Sequence, residues 1–358
     1  MKAAVCYEFG KPLVIEDVVL DEPQSGEVRV KIAATGICHS DLHTVAGEWG
    51  GTTPVIAGHE SSGTVVSVGP DVSLYQPGDK VLVTLLRSCG ACFYCVQGLP
   101  NRCETTFRLD KQTPLHNQKG EAIRHGIRTA SFAEEVLVHQ SQLLKLPDDV
   151  PMDAASLLAC GVITGAGAVL NTAQVKAGTS VVVIGTGGVG LNSVQAARIA
   201  GAYPIIAVDL LDNKLEIAHQ FGATHSVNAK TQDPIKYVKE QTAGRGADYV
   251  FVTVGNAKAS EQAFAMLRPR GLQVVVGIPE AGAAASLPIR QLVEERMVMG
   301  SFMGSTRLSV DVPRLINLYR NKQFYLNELI TQRIPLEHIN EAIQHTHTGN
   351  AIRNVIVF

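Results

Sequence analysis

Val181-Val182-Val183-Ile184-Gly185-Thr186-Gly187-Gly188-Val189-Gly190-Leu191 is the stretch on which the reading of the fold turns. Four apolar, β-branched residues read as a buried strand, the glycines as a tight turn, and the run from Leu191 to Arg198 as a helix. In that order Gly185 permits the turn, Gly187 lets backbone approach a pyrophosphate, and Gly190 lets the helix pack closely on the strand. Gly188 and Val189 open the helix, whose N-terminus offers free N–H groups and a positive dipole end to an anion. Glycine-rich turns also simply join strands to helices. Here, however, Asp209 closes the next apolar strand, 19 residues beyond Gly190. An acid there would hold the adenosine ribose hydroxyls and repel a 2′-phosphate. The expectation is a dinucleotide site taking NAD rather than NADP, with a bare strand-helix-strand unit as the alternative.

Outward from this turn, the apolar strands Val181–Ile184, Ile205–Val208 and Val274–Val276 alternate with helical stretches, which predicts a parallel sheet covered by helices on both faces. One helix is expected to start at Asp212 as N-cap, to bury Leu215, Ala218 and Phe221, and to stop at Gly222. The first 160 residues differ in texture. Short β-branched runs at 28–32, 63–69, 80–84 and 133–138, broken by Gly and Pro, read as an antiparallel β domain. The C-terminal residues return to mixed texture and end in the strand-like 354–358, so the nucleotide domain is expected to be inserted into the other. The expected boundaries are 1–161, 162–302 and 303–358.

A chain of 358 residues is long enough for two cores. With 46% hydrophobic and 18% charged residues, and glycines and prolines scattered, the composition is that of a soluble globular protein. A net charge of -2 and no Lys/Arg-rich run argue against nucleic-acid and membrane partners. The start, Met1-Lys2-Ala3-Ala4-Val5-Cys6, enters an alternating strand pattern rather than a signal peptide, and no apolar run approaches the roughly 20 residues of a membrane helix. A cytoplasmic protein is expected. Such chains seldom keep disulfides, and four of the seven cysteines fall between residues 89 and 103, which favours metal ligation.

Those four spell C-x2-C-x2-C-x7-C at Cys89, Cys92, Cys95 and Cys103, within a lobe spanning 88–104. Loops this short let four thiolates converge on one tetrahedral ion with no position left for chemistry. An iron–sulfur cluster or a C-x-x-C redox pair would use the same residues, but a structural zinc suits a closed set beside a β domain better. Three further segments carry ligand types at strand ends or glycine bends: Cys38-His39-Ser40-Asp41-Leu42-His43, Gly58-His59-Glu60 and Ala159-Cys160-Gly161. Each alone is unremarkable, since free cysteines and single histidines are commonly buried structure.

Taken with the four-cysteine lobe, the Gly185–Leu191 turn and Ala351-Ile352-Arg353, these segments closely resemble, nearly end to end, the zinc-containing alcohol dehydrogenases of the medium-chain dehydrogenase/reductase family. The resemblance implies an α/β protein: a Rossmann doubly wound parallel sheet for the coenzyme plus a mainly β, GroES-like catalytic domain. It implies that Cys38, His59 and Cys160 bind a catalytic zinc, the Cys2His set known for alcohol dehydrogenases. Glu60 would lie beside the metal, and Asp41 would accept a hydrogen bond from His59 and fix its tautomer. Asp209 and Lys214 match the family's ribose contacts, and His39 and Arg353 its pyrophosphate contacts. Val254 and Val276 complete the candidate coenzyme set.

The implied activity is reversible hydride transfer between a primary or secondary alcohol and NAD, with two zinc ions per subunit. The alcohol proton would leave by Ser40, the nicotinamide ribose and His43. Trp49 is placed by the resemblance near the substrate channel. The stretch from Cys103 to Cys160 is its least familiar part: Arg108 and Arg124 align cleanly with no substrate-binding arginine, while most of a loop that shorter tetrameric relatives lack is kept, which favours a homodimer over a homotetramer. Rival readings are a glutathione-adduct formaldehyde dehydrogenase or carbonyl reductase of the same family, and a nucleotide-binding protein without turnover.

Overall fold

The computed structural model describes residues 1–349 and 351–358, which form two compact units. One comprises Met1–Cys160, Arg307–Ile316 and Leu326–Phe358, the other Gly161–Thr306 and Asn317–Tyr325.

In the second unit the described residues form a six-stranded sheet, ordered His225–Asn228, Ile205–Asp209, Val181–Ile184, Ala247–Val252, Leu267–Val275 and Met297–Gly300. Every neighbouring pair is parallel. Numbered along the chain this order is 3-2-1-4-5-6, and it reverses between Val181–Ile184 and Ala247–Val252, where doubly wound sheets bind their ligands beyond the strand C-termini. Covered on both faces, the central strands are continuously apolar: Val181, Val182, Val183, Val250, Phe251 and Val252 are fully buried. The helices Gly188–Ile199, Asp212–Phe221, Pro234–Gln241 and Ala257–Met266 provide that cover. The last two start at Asp233 and Asn256, whose side chains accept the first free N–H groups.

The helix expected to be capped by Asp212 is capped by Leu211 and ends, as expected, at a left-handed Gly222. The Asp209 carboxylate explains the shift by accepting from the N–H groups of Leu210 and Leu211 at 2.7 and 3.2 Å. Asp212 meanwhile accepts a 2.6 Å bond from the Asn228 amide.

The first unit holds a closed barrel of Lys2–Cys6, Val14–Leu20, Leu115–Asn117, Ala122–His125 and Val55–Ile56. Beside it, a seven-stranded sheet runs Leu143–Lys145, Lys80–Thr84, Glu60–Val68, Glu27–Gly36, Arg353–Val357 and Ile330–Pro335, with Glu135–His139 also paired to Glu27–Gly36. Antiparallel pairing dominates, with one exception to the expectation for the first 160 residues, Val55–Ile56 running parallel to Ala122–His125; a second parallel pair, beyond those residues, is Ile330–Pro335 with Arg353–Val357. The second follows from connectivity, since the helix Ile339–His347 lies between its two strands and supplies the crossover that parallel neighbours need. Among the described residues no single helix is long and apolar enough to cross a membrane.

Candidate active site

Strand register brings the three dispersed ligand segments together. Thr35 pairs with Ser61 and Glu60 with Thr84, so the end of Glu27–Gly36, the start of Glu60–Val68 and the end of Lys80–Thr84 lie side by side. Cys38 and His59 follow from the first two, and the Thr84 hydroxyl donates at 2.6 Å to the Ala159 carbonyl, fixing the turn before Cys160. The Cys38 and Cys160 sulfurs and a ring nitrogen of His59 then lie within 4.8 Å of one another, all buried. Space is tight here: a Cβ on Gly36 would sit 2.5 Å from Glu60 Oε2 and 3.2 Å from Leu157, so a larger residue would displace the Glu60 carboxylate.

Asp41 organises these ligands. Its fully buried carboxylate accepts from His59 Nδ1 and the Gly58 N–H, both at 2.9 Å through Oδ1, and from the Cys38 N–H at 3.0 Å through Oδ2. His59 Nδ1 therefore carries the proton, and Nε2 is buried without a hydrogen-bond partner. A buried acceptor left so is costly unless something ligates it. Orphan nitrogen and converging sulfurs are a donor set suited to zinc.

Charge in the cluster is coupled. The hydrogen bond from Cys160 holds the Cys38 pKa well below the usual thiol value, aided by Arg353 and His59, while the Cys160 thiol is pushed well up by the same contact and by burial. Burial disfavours the charged form of His59, but Asp41 more than offsets this and raises its pKa. The Arg353 guanidinium, desolvated but facing Glu60 and both cysteines, stays charged, with its Nε 3.8 Å from Glu60 Oε2.

Cys38 caps the helix His39–Ala46, on which Ser40 and His43, three residues apart, share a face. His39 is exposed. A left-handed Gly47 (φ 77°) ends the helix and turns the chain back, so that Glu48 contacts His43 Nδ1 and the Trp49 ring stacks on the imidazole with centroids 5.0 Å apart. Glu48 was missed by sequence reasoning, because a lone acid beyond a helix end carries no pattern.

The four sulfurs of Cys89, Cys92, Cys95 and Cys103 also lie within 4.8 Å of one another. Cys92 and Cys103 are 3.8 Å apart, about the edge of a tetrahedron with Zn–S arms of about 2.3 Å. Cys89 Sγ accepts from the N–H groups of Cys92 and Ala91 at 3.2 and 3.4 Å, and hydrogen bonding, with Thr105 foremost, lowers its pKa to about 6. The neck of the lobe is tied by Arg87, whose buried guanidinium donates to Asp110 Oδ1 and Gln142 Oε1 at 2.6 and 2.7 Å. Arg108, in the same segment, chelates Glu27 with two bonds of 2.7 Å, so these arginines staple the loop.

In the other unit the glycine turn follows the expected geometry. Gly185 has φ 87°, and a Cβ on it would lie 2.4 Å from Val254; one on Gly190 would lie 1.8 Å from the Gly185 carbonyl oxygen. A Cβ on Gly187 would meet nothing within 4 Å, so no protein atom requires glycine there. The helix begins at Gly188 with no side-chain cap, leaving the N–H groups of its first turn to a ligand. Asp209 Oδ2 accepts from the Thr186 N–H and hydroxyl at 2.7 and 2.9 Å, a tie that sequence reasoning also missed. Lys214 stands in the first turn of the next helix, and Val276 is buried, donating to the Val252 carbonyl at 2.9 Å.

Comparison with known proteins agrees with this geometry. Residues 24–148 match the model of the alcohol dehydrogenase GroES-like domain, and residues 188–321 that of the zinc-binding dehydrogenases. The chain is 38% identical to the S-(hydroxymethyl)glutathione dehydrogenase of Saccharomyces cerevisiae, over 99% of its own length and 95% of the relative's. It is 37% identical to the class-P alcohol dehydrogenase of Arabidopsis thaliana, over 99% and 96%. Among solved structures, an alcohol dehydrogenase zinc-binding domain protein from Burkholderia ambifaria superposes with a TM-score of 0.95 at 34% identity, covering 100% of this chain and 98% of that one.

Proposed function

The chain belongs to the zinc-containing alcohol dehydrogenases of the medium-chain dehydrogenase/reductase family, oxidoreductases on CH–OH donors that use zinc and a nucleotide cofactor, and we propose that it interconverts a primary or secondary alcohol and its carbonyl product with NAD and two zinc ions per subunit. The observation that carries the proposal is the convergence of three buried ligand atoms from distant segments, one of them the partnerless Nε2 of His59. Held by Cys38, His59 and Cys160, zinc supplies Lewis acidity to an alcohol or carbonyl oxygen.

The protein's own groups supply the rest. Asp41 fixes the His59 ring and keeps Nε2 the ligating atom. Ser40 Oγ takes the alcohol proton and His43, part exposed, receives it and returns it to solvent. Trp49 narrows the space around the alcohol carbon. Asp209 and Lys214 hold the adenosine ribose, Gly185–Gly190 the pyrophosphate together with His39 and Arg353, and Val254 and Val276 flank the coenzyme; the Asp209 charge favours NAD over NADP. Glu60, paired with Arg353, stands beside the metal ligands. Cys89, Cys92, Cys95 and Cys103 hold a second zinc that stabilises the lobe. A reducing compartment, the cytoplasm, keeps all seven thiols free.

The strand Met297–Gly300 supports a homodimer. It ends the parallel sheet with its second edge unpaired among the described residues, and Met297, Val298 and Met299 are all exposed, as are Ile289 and Val293 in the preceding helix. A second copy pairing there would bury that edge. Light scattering at micromolar concentration should return twice the chain mass; a tetramer would mean that a further face is used.

A panel of alcohols and aldehydes with NAD(H) and NADP(H), run on protein of measured zinc content, tests the activity. S-(hydroxymethyl)glutathione belongs in the panel because of the Saccharomyces cerevisiae relative. We expect two zincs per chain, one remaining in each of Cys92→Ser and Cys160→Ser, and turnover lost in the latter. Ser40→Ala should lose most turnover while keeping both metals and NAD binding; wild-type turnover in it would sink the relay.

A further inference from the structure

We propose that Glu48 is a positioning residue for the proton path, holding His43 in one tautomer and balancing the charge it gains. The proposal rests on the relay reading above. The observation is the reversal of the chain at Gly47. Its N–H reaches the carbonyls of His43 and Thr44, and the Glu48 N–H returns to the His43 carbonyl at 3.0 Å. The reversal is enforced locally: Gly47 has φ 77°, and a Cβ on it would come within 2.8 Å of the Phe9 ring.

The two residues that follow both close on the His43 imidazole. The Glu48 carboxylate contacts Nδ1, and the Trp49 indole stacks on the ring face at an interplanar angle of 27°. Ring rotation and tautomer are thereby restrained together. A carboxylate accepts but does not donate, so Nδ1 carries the hydrogen and Nε2 is left as the basic nitrogen. The arrangement on which Asp41 orients His59 for ligation is repeated a few residues on, with the free nitrogen now serving proton transfer.

The step balances simply. Nε2 gains the proton that Ser40 received, the N–H bond at Nδ1 stays intact, and the resulting imidazolium faces the Glu48 carboxylate. The proton at Nε2 then passes to water; the His43 side chain is 30% exposed and Glu48 50%, so solvent reaches the end of the path. Glu48 touches no reacting atom and acts through His43.

The test uses full-length, zinc-loaded enzyme with NAD and the alcohol of the above panel that gives the highest kcat/KM. Nitrogen-15 chemical shifts of His43 report its tautomer, and stopped-flow NADH formation reports the first turnover. Wild type should show protonated Nδ1 and unprotonated Nε2. Glu48→Ala should give mixed tautomers and a first turnover about fivefold slower, the upper range for a partly exposed charge pair, with KM within about twofold. Glu48→Asp should restore much of both. A wild-type rate with an unchanged nitrogen pattern in Glu48→Ala, or an Nε2-protonated His43 in wild type, overturns the proposal. Ser40→Ala separates the two levels: if it too keeps the wild-type rate, the relay itself is wrong, whereas a slow Ser40→Ala beside a fast Glu48→Ala removes Glu48 alone.

Discussion

Replacing Asp41 by Asn changes one atom and should loosen the catalytic metal. The carboxylate accepts three hydrogen bonds in a site that excludes water, two at Oδ1 from His59 and Gly58 and one at Oδ2 from Cys38. An amide placed with its oxygen at Oδ1 keeps two of them but turns its NH2 toward the Cys38 N–H; flipped, it keeps one. In either orientation a buried N–H loses its acceptor, at a cost of about 1–3 kcal/mol, and the surviving bonds lose the assistance of the charge. The total is on the order of 3 kcal/mol, divided between folding and the orientation of His59. If about two-thirds falls on the ligand, zinc binds about 30-fold more weakly, within the 10- to 100-fold range usual for carboxylates behind a ligating histidine. Native mass spectrometry across a zinc-buffered series separates chains holding one and two metals and reads this directly. Asp41→Asn should keep the zinc of the cysteine lobe at every step and release the other at higher free zinc than wild type does. Identical two-metal occupancy throughout, with an unchanged unfolding midpoint, would refute the assignment of Asp41.

Gly190→Ala should weaken NADH binding by more than about tenfold in a fluorescence titration, because its Cβ would lie 1.8 Å from the Gly185 carbonyl oxygen and the turn must open. His125 supplies a pH dependence. Burial, helped by Arg87, lowers its pKa to about 3, whereas the unfolded chain titrates near about 6.5, so the unfolded state takes up the proton first. Stability should therefore fall on acidification from about 6.5 to about 3, by up to about 1.4 kcal/mol per pH unit, and His125→Asn should lack that slope in urea titrations. Asp248 behaves in the familiar acid sense. Although burial opposes it, hydrogen bonds from Ser180 and Arg268 depress its pKa, so its contribution is present above the ordinary carboxylate range and lost as pH falls below it. Asp248→Asn should destabilise at pH 7 and differ little from wild type near pH 2, as thermal scans at both values would show.

What could be read from sequence was whatever is encoded over short distances. The strand-turn-helix at Val181–Arg198 and the spacing of Cys89, Cys92, Cys95 and Cys103 are local patterns with few physical solutions, and the stop at Gly222 is a single-residue signal. The second cluster was of another kind. Cys38, His59 and Cys160 meet through the register of three strands, which no local pattern specifies, and resemblance alone united them beforehand. What escaped reading depends on side chains that choose among several partners. Asp209 holds Leu210, Leu211 and Thr186, displacing the expected start of a helix by one residue, and Glu48 reaches His43 only because Gly47 turns the chain. The parallel pairing of Val55–Ile56 with Ala122–His125 was missed because an antiparallel and a parallel strand look alike in composition.

The bond between Arg87 and Asp110 joins residues 23 apart, one before the first cysteine of the lobe and one after the last. Bringing the ends of such a segment together costs roughly 3 kcal/mol of chain entropy. That cost is offset by a partly buried ion pair of the protein itself, with the Phe107 ring centroid 5.8 Å from the Arg87 guanidinium carbon. An ion held by Cys89, Cys92, Cys95 and Cys103 would enter a loop that is already a ring, and the free energy of coordination would go into gathering four thiols within it. Effective concentration, set by the neck, would then govern how readily the lobe refills after losing a metal.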